Sequence, residues 1–291
     1  MNTSSGNNYY SDRLSRSDFS RLSHFIQSNM GIKMPLSKLT MVESRLRKRL
    51  RSLKINRYSD YCDFLFSEPG IDKELKFFID VITTHKTEFF REPDHFEYLA
   101  QRAVPELVAD KDLVPKIKLN LWSAASSRGN EAYSIAIVLD EFRQRYPGLN
   151  FDYFILGTDI SADVIHEAKK AIYDHEEIEP VPVNLRKKYF LKSKDRQKNL
   201  VRVVPELRKK VIFRQLNLMD DDFRLRDAMD IIFCRNVIIY FDKKTQDNLI
   251  LRLCNHLKPD GYLFMGHSEV LHCTDNVPLV STAPSVYRKV V

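Results

Sequence analysis

Four short apolar runs, each ending in small or polar residues, most constrain the fold of this 291-residue chain. They are "KIKLNLWSA" (116–124), "FDYFILGTD" (151–159), "MDIIFCRN" (229–236) and "GYLFMGHS" (261–268). Between them, stretches such as 132–142 and 243–257 repeat apolar residues every three or four positions, as helices do. Buried strands alternating with helices predict a doubly wound α/β fold around a parallel sheet.

Two segments depart from this alternation. "LVSTAP" followed by "SVYRKVV" (279–291) predicts a C-terminal antiparallel hairpin at one edge of the sheet. "NLVRVVPEL" (199–207) and "KKVIFRQL" (209–216) alternate apolar and polar residues where a crossover helix is expected. We therefore expect a small antiparallel β insertion at about 175–215.

The first third of the chain has a helical pattern instead. We interpret residues 1–16 as a flexible polar tail, 17–84 as an all-helical domain, 85–115 as a linker with a connecting helix, and 116–291 as the α/β domain. Ser17 and Asp18 are predicted to cap the first helix. One apolar stripe marks the second helix, formed by Leu36, Leu39, Val42, Leu46, Leu50 and Leu53.

The second helix is also strongly basic. Residues 1–91 carry 16 Lys and Arg against 10 Asp and Glu. This excess of positive charge accounts for most of the net charge of +7. On the helix the cations are Arg45, Arg47, Lys48, Arg49, Arg51 and Lys54. They form either a solvated surface or a docking face for an acidic partner.

Several classes of protein are excluded. The N-terminus lacks the basic and apolar regions of a secretion signal, and no apolar run approaches the ~20 residues of a membrane span. The four cysteines never fall in a C-x-x-C spacing, so neither a zinc site nor a disulfide framework is predicted, and no metal is expected. These features suit a reducing cytoplasm.

The strand ends are the places to look for a ligand, because open α/β sheets bind ligands beyond the carboxyl ends of their strands. Asp159 ends the second run, where a carboxylate can accept both hydroxyls of a ribose; capping the next helix is the alternative. The loop after the first run has one glycine, Gly129, which excludes a dinucleotide fingerprint. This layout is that of methyltransferases that use S-adenosylmethionine.

Four collinear stretches carry a more specific resemblance: "TTHKTEFFREPDHF" (83–96), "WSAASSRGNEAYSIAI" (122–137), "IIFCRNVIIYFDKKTQ" (231–246) and "LKPDGYLFMGHSE" (257–269). They closely resemble the chemotaxis receptor methyltransferases (CheR), and the likeness runs from about residue 17 to the C-terminus. The resemblance implies a Rossmann-like, S-adenosylmethionine-dependent protein-glutamate O-methyltransferase. Such an enzyme gives glutamyl methyl esters on chemoreceptors and releases S-adenosylhomocysteine.

The resemblance also implies site residues. Arg91 and Tyr240 are expected to steer the acceptor carboxylate, and a surface ion pair with Glu88 or Glu92 is the alternative for Arg91. The family often has Asn at the position of His85 and Gly-Glu-Glu-Pro-Tyr where this chain has Gly-Asn-Glu-Ala-Tyr (129–133). The expected cofactor contacts are His85, Thr87, Arg91, Glu131, Asp159, Asn217, Leu218, Arg235 and Asn236.

The resemblance implies two binding partners, the cytoplasmic methylation helices of chemoreceptors and a receptor C-terminal peptide. It also implies that this protein is a monomer that binds no nucleic acid and does not insert into a membrane. Relatives that hold such a peptide usually carry glycines in the insertion, whereas "LKSKDRQKN" (191–199) has none. Two alternatives remain. The first is a nucleic-acid methyltransferase, which typically has prolines after the fourth strand; this chain has none in the matching stretch after Asn236. The second is a non-catalytic S-adenosylmethionine sensor, which would show no turnover.

Overall fold

A computed structural model describes residues 12–109, 117–195, 197–269, 271 and 277–290. Most of the expected N-terminal tail, part of the expected linker and Cys273 lie outside these residues. The chain divides into two compact units, Met1–Thr84 and His85–Val291. No helix within the described ranges has the length and hydropathy needed to cross a bilayer.

The first unit is helical. Its described residues form the α-helices α1 (Arg16–Met30), α2 (Leu39–Leu53), α3 (Tyr58–Leu65) and α4 (Glu68–Ile82). The Ser15 hydroxyl accepts a hydrogen bond of 3.0 Å from the Asp18 backbone N–H, so the N-cap of α1 lies two residues before the predicted cap at Ser17. An Ncap hydroxyl satisfies a free N–H of the first turn, which is why Ser15 marks the boundary.

The predicted apolar stripe is only partly correct. Val42, Leu46 and Leu50 are buried on one face of α2, as their spacing predicts. Leu36 is 50% exposed, because it lies in a separate 3₁₀ turn, Leu36–Lys38, that precedes α2 and does not share its register.

The second unit contains the sheets. Its helices are α5 (Pro93–Tyr98), α6 (Val104–Ala109), α7 (Asn130–Arg145), α8 (Ala162–Lys170), α9 (Val183–Tyr189), α10 (Pro205–Arg208) and α11 (Lys243–His256), with a π-helical segment at Leu99–Ala103. Its strands are β1 (Ile117–Ala124), β2 (Phe151–Asp159), β3 (Ile172–Asp174), β4 (Phe190–Lys192), β5 (Leu200–Val203), β6 (Val211–Gln215), β7 (Met229–Cys234), β8 (Leu257–Met265), β9 (Leu279–Ala283) and β10 (Val286–Lys289).

The large sheet has seven strands in the order β6-β2-β1-β7-β8-β10-β9. Strands β6, β2, β1, β7 and β8 are mutually parallel, whereas β10 pairs antiparallel with both β8 and β9. The α/β class and the C-terminal hairpin are therefore confirmed. Since the chain builds outward from β1 in both directions, the switch point lies between β1 and β7.

The small sheet has three antiparallel strands in the order β3-β5-β4. The assignment of "KKVIFRQL" to this insertion was wrong, because Val211–Gln215 forms β6 and pairs in parallel with β2. Phe213 is buried while Ile212 is 54% exposed, so this edge strand alternates like an antiparallel one.

Candidate active site

The loop after β1 has an unusual backbone. Ala125, Ser127 and Gly129 all have positive φ, at 60°, 49° and 88°. At Gly129, the N-cap of α7, an added Cβ would lie 2.8 Å from the Phe213 ring, so glycine is required by both conformation and space. The left-handed residues turn the chain sharply from the strand end into α7.

Asp159 fixes this loop from the end of β2. Its carboxylate accepts hydrogen bonds from the backbone N–H groups of Ser127 at 2.9 Å and Ser161 at 3.0 Å, and it is 7% exposed. Burial raises the pKa of Asp159, while the backbone donors and the charge of His85 oppose that rise. The cap of α8 is Ser161, whose hydroxyl accepts from Val164 N–H, rather than Asp159.

The segment before α5 borders the same loop. The Ser127 hydroxyl donates to the backbone carbonyl of His85 at 3.0 Å. Thr87 lies two residues further on and is half-buried. Among the described residues, it makes no hydrogen bond or ion pair with the other residues that were predicted to contact the cofactor.

Arg235, directly after β7, is the centre of a polar network. Its side chain is 1% exposed and forms ion pairs with Glu92 at 2.9 Å and Glu131 at 3.1 Å. It also donates to the backbone carbonyl of Arg91. One guanidinium thus joins the segment before α5, the first turn of α7 and the end of β7.

The two carboxylates differ in their electrostatics. Burial raises the pKa of Glu131, although Arg235 and the Ser123 hydroxyl, which donates at 2.6 Å, stabilise its ionised form. Burial also acts to raise the pKa of Glu92, but the hydrogen bond and charge of Arg235, helped by Asn236, outweigh it and lower the pKa. Glu92 is therefore the more firmly ionised of the two.

Glu92 and Ser123 were not predicted as site residues. Glu92 was expected only as a surface partner for Arg91, but it pairs with Arg235, while the Arg91 guanidinium donates to the Lys86 carbonyl at 3.4 Å. The signal for Glu92 was its position beside Arg91 in the "FFREP" stretch. Its partner, 143 residues away, could not be read from the sequence.

The turn after β7 carries Asn236 and Tyr240. Asn236 has a left-handed backbone (φ 58°), and its side-chain amide donates to Glu92 at 3.1 Å. Tyr240 ends the 3₁₀ segment Ile238–Tyr240 and is half-buried. The Tyr240 side chain makes no hydrogen bond or ion pair with this network among the described residues.

Glu269, which follows β8, holds that turn and was missed by sequence reasoning. Its buried carboxylate accepts backbone hydrogen bonds from Asn236 at 2.8 Å, Ile238 at 2.9 Å and Gly266 at 2.7 Å. Its only signal was its place at the end of "GHSE".

Asn217 and Leu218 follow β6. The backbone N–H of Leu216 donates to the Asp159 carbonyl at 2.9 Å, which brings this segment to the end of β2. The Asn217 side chain accepts from the Met219 N–H at 3.0 Å, and Leu218 is buried. The structure thus forms two groups along one sheet edge: Asp159 with the segment containing Asn217, and Glu131 with Arg235 and Asn236.

Glu92, His95 and His267 place potential metal-ligating atoms within 4.8 Å of one another. Glu92, however, already accepts hydrogen bonds from Arg235, Asn236 and the His267 backbone N–H. A divalent cation here would have to compete with the Arg235 guanidinium for the same carboxylate. The cluster is better described as a charge-balanced polar network.

Two buried polar side chains in the first loop lack hydrogen-bond partners in the described part of the chain. They are the Ser126 hydroxyl and both amide atoms of Asn130, which is fully buried. A buried unpaired polar group is costly unless a ligand or water satisfies it. With the carboxylates of Asp159 and Glu131 nearby, the loop suits a ligand that carries hydroxyl and amino groups.

Comparison with known proteins identifies that ligand class. The CheR methyltransferase SAM-binding domain matches residues 85–285, and the CheR methyltransferase all-alpha domain matches residues 17–83. The chain belongs to the CheR methyltransferase family. It is an S-adenosylmethionine-dependent methyltransferase, and the polar loop fits that cofactor.

The chain is similar to chemotaxis protein methyltransferases along most of its length. The chain is 36% identical to a chemotaxis protein methyltransferase of Borreliella burgdorferi, over 99% of this chain and 100% of that protein. It is 40% identical to chemotaxis protein methyltransferase 2 of Pseudomonas aeruginosa, over 87% and 86%. It is 38% identical to the chemotaxis protein methyltransferase of Escherichia coli, over 89% and 86%.

Proposed function

We propose that this CheR-family protein methylates glutamate side chains of methyl-accepting chemotaxis receptors, giving glutamyl methyl esters. The observation that carries the proposal is the network in which buried Arg235 joins Glu92 and Glu131 at the carboxyl edge of the sheet. It supports a polar, water-poor site beside the loop suited to S-adenosylmethionine. The chemotaxis methyltransferases to which the chain is similar make receptors the acceptor class to test.

Cofactor binding is assigned to the residues on this edge. Asp159 would hold the ribose hydroxyls, Glu131 the ammonium group and Arg91 the carboxylate, with Arg235 and Asn236 beneath the sulfonium. Leu218 and Asn217 would border the adenine, and Thr87 and His85 would contribute from the segment before α5. Bound there, S-adenosylmethionine supplies an electrophilic methyl group.

The chain's own residues need only position the acceptor. A glutamate has an ordinary pKa of about 4.3 and is ionised at neutral pH, so no general base is required. Arg91 and Tyr240 would orient the incoming carboxylate, and the buried charges around Arg235 would keep the region polar but poorly hydrated. Alignment of reacting groups can lower a barrier by about 7–11 kcal/mol in favourable cases.

Receptor docking is proposed on the exposed cations of α2 and its C-cap. Three of these cations have partners within the helical unit that make them unsuitable for docking. Arg45 donates to the carbonyls of Ile82 and Thr83, Arg47 pairs with Glu43, and Arg49 pairs with buried Glu74. Lys48, Arg51 and Lys54 are exposed. These three form the candidate surface for an acidic, helical methylation segment.

A second docking place is proposed on the small sheet, where a groove of about 390 Å³ lies beside β4. Phe190, Ile178 and Val201 give it an apolar floor, while Lys187 and Lys192 add positive charge. This chemistry suits a short apolar peptide ending in a carboxylate, such as a receptor C-terminus added to the sheet edge. That mode, the monomeric state and the cytoplasmic location stay predictions.

The function is tested by incubating the protein with tritiated S-adenosylmethionine and receptor-bearing membranes. We expect radioactivity in the receptor band that mild base releases as methanol, the behaviour of a carboxyl methyl ester. Receptors with Gln or Ala at their methylation sites are the control. Base-stable label, label in added nucleic acid, or no label would contradict the proposal.

A further inference from the structure

Glu269 is a buried carboxylate, 2% exposed, that accepts hydrogen bonds from the backbone N–H groups of Asn236, Ile238 and Gly266. Those donors belong to two separate strand ends: Gly266 follows β8, and Asn236 and Ile238 follow β7. Burial raises the pKa of Glu269, and the backbone donors act against that rise. A buried carboxylate surrounded by main-chain donors fixes backbone geometry.

The geometry that it fixes is a demanding one. Asn236 adopts the left-handed conformation that non-glycine residues seldom enter, and its N–H is one of the groups that Glu269 binds. Packing is tight on the other side as well. A Cβ added at Gly266 would lie 2.8 Å from Glu269 Oε2 and 3.0 Å from the Asn236 nitrogen.

The turn held in this way carries the side chains assigned to the reaction. Arg235 is anchored separately by Glu92 and Glu131, so its position does not depend on Glu269. The segment from Asn236 to Tyr240, by contrast, is joined to β8 through the Glu269 carboxylate. Loss of that carboxylate should therefore disturb Tyr240 and Asn236 more than the rest of the cofactor edge.

We propose that Glu269 is a positioning residue for methyl transfer, clamping the turn after β7 so that Asn236 and Tyr240 face the transferred methyl group. This inference rests on the proposed function, but it concerns a residue to which no cofactor contact is assigned. Two carboxylate oxygens accept the backbone donors. A Gln at 269 would turn an amide N–H toward them, and an Asp would fall short by one methylene.

The test measures kcat, KM for the receptor and affinity for S-adenosylhomocysteine in Glu269→Gln and Glu269→Asp, at a temperature where circular dichroism shows each folded. We expect kcat to fall at least tenfold in Glu269→Gln and less in Glu269→Asp. The dissociation constant for S-adenosylhomocysteine should stay within threefold of the parent, because this product lacks the sulfonium that Asn236 would face.

The matched control is Asp230→Asn. Asp230 is also buried, lies on β7 and accepts a backbone hydrogen bond from Asn120 at 2.8 Å, but it lies at the amino end of the strand. That variant should lose stability and keep its kcat.

Each outcome is decisive. A folded Glu269→Gln with parental kcat, or one whose kcat falls no further than that of Asp230→Asn, overturns the inference while the active parent leaves the proposed function intact. An inactive parent contradicts the proposed function instead. If neither Glu269 variant folds, Glu269 is a determinant of the fold and the positioning role is rejected.

Discussion

The guanidinium of Arg235 lies 2.9 Å from the carboxylate of Glu92, although the two residues are 143 positions apart in the chain. The Arg235 side chain is 1% exposed and the Glu92 side chain 14%, so neither charge could be left there alone. The same guanidinium also pairs with Glu131, whose side chain is 15% exposed, and one buried cation therefore stabilises two partly buried anions.

Removal of that cation should be costly. Arg235→Met should lower the free energy of unfolding by about 3–5 kcal/mol, because it leaves two partly buried carboxylates without their cation. Urea unfolding followed by circular dichroism measures the change. Lys198→Met, which breaks an exposed ion pair with Asp195, should cost less than about 1 kcal/mol. Equal losses in the two variants would show that burial of the Arg235 pair has no energetic consequence.

Asp159 should matter for cofactor affinity. Asp159→Ala removes the proposed ribose acceptor and leaves the N–H groups of Ser127 and Ser161 without their partner. We expect affinity for S-adenosylhomocysteine to fall roughly tenfold to a hundredfold, or about 1–3 kcal/mol, in calorimetric titration. Asp152→Ala, near the amino end of β2, is the control. Unchanged affinity in a folded Asp159→Ala protein would remove Asp159 from the site.

Tyr240 should affect the chemical step rather than cofactor binding. If its hydroxyl orients the acceptor carboxylate, Tyr240→Phe should lower kcat about tenfold or more and leave affinity for S-adenosylhomocysteine unchanged. Steady-state methylation of receptor membranes gives the first quantity and calorimetry the second. Parental kcat in the variant would rule out this role.

His95 should make the protein sensitive to acid. Burial, reinforced by the charge of Arg235, lowers the pKa of His95 to about 4, although Glu92 and Asp94 act in the opposite direction and His267 adds to the lowering. An unfolded histidine titrates near 6.5, so the unfolded state binds more protons between pH 6.5 and pH 4, and stability must decrease as pH falls through that window. The expected loss between pH 7 and pH 5 is about 2 kcal/mol.

Urea unfolding at pH 7 and pH 5 tests this expectation. His95→Phe should abolish most of that loss, whereas His267→Asn, which changes a half-exposed histidine in contact with His95, should retain it. The interpretation fails if His95→Phe shows the same pH dependence as the parent.

The exposed cations of α2 should set receptor recognition. Lys48→Glu with Lys54→Glu should raise KM for the receptor several-fold and flatten the salt dependence of methylation, without changing affinity for S-adenosylhomocysteine. Lys33→Glu with Lys73→Glu makes the same change of charge on exposed residues outside α2. If both pairs behave alike, only net charge matters. Arg49 is unsuitable for reversal, because Glu74, its ion-pair partner at 2.6 Å, is buried.

The α/β fold could be predicted because its strands are buried on both faces and therefore appear as uninterrupted apolar runs. Strand β7 is buried at every position. The same rule failed at β6, an edge strand whose Ile212 is exposed, so that its alternating pattern resembled that of the small sheet. Pairing with β2 is a long-range choice that local alternation does not encode.

The residues of the candidate site that follow the strands could be predicted from the sequence. The hydrogen bonds and ion pairs that join distant segments could not. The carboxyl-end rule located Asp159, Arg235 and Asn236 without a structure. Glu92 and Glu269 escaped because their importance comes from partners in distant segments, and a lone glutamate more often lies on a solvated face. The cations of α2 show the reverse error, since Arg45, Arg47 and Arg49 look like surface charge but bind within the helical unit.

The proposed clamp at Glu269 has a consequence for how the protein folds during its synthesis. Asn236 and Glu269 meet in one turn but are separated along the chain. Strand β10, which lies between β8 and β9 in the sheet, is translated after both of them. A nascent chain that has emerged only as far as α11 would have the cofactor loop and Asn236 but no carboxylate to hold that residue. Since domains tend to fold as units during synthesis, the helical unit can fold early, whereas the proposed clamp cannot form until the residues after β8 have emerged.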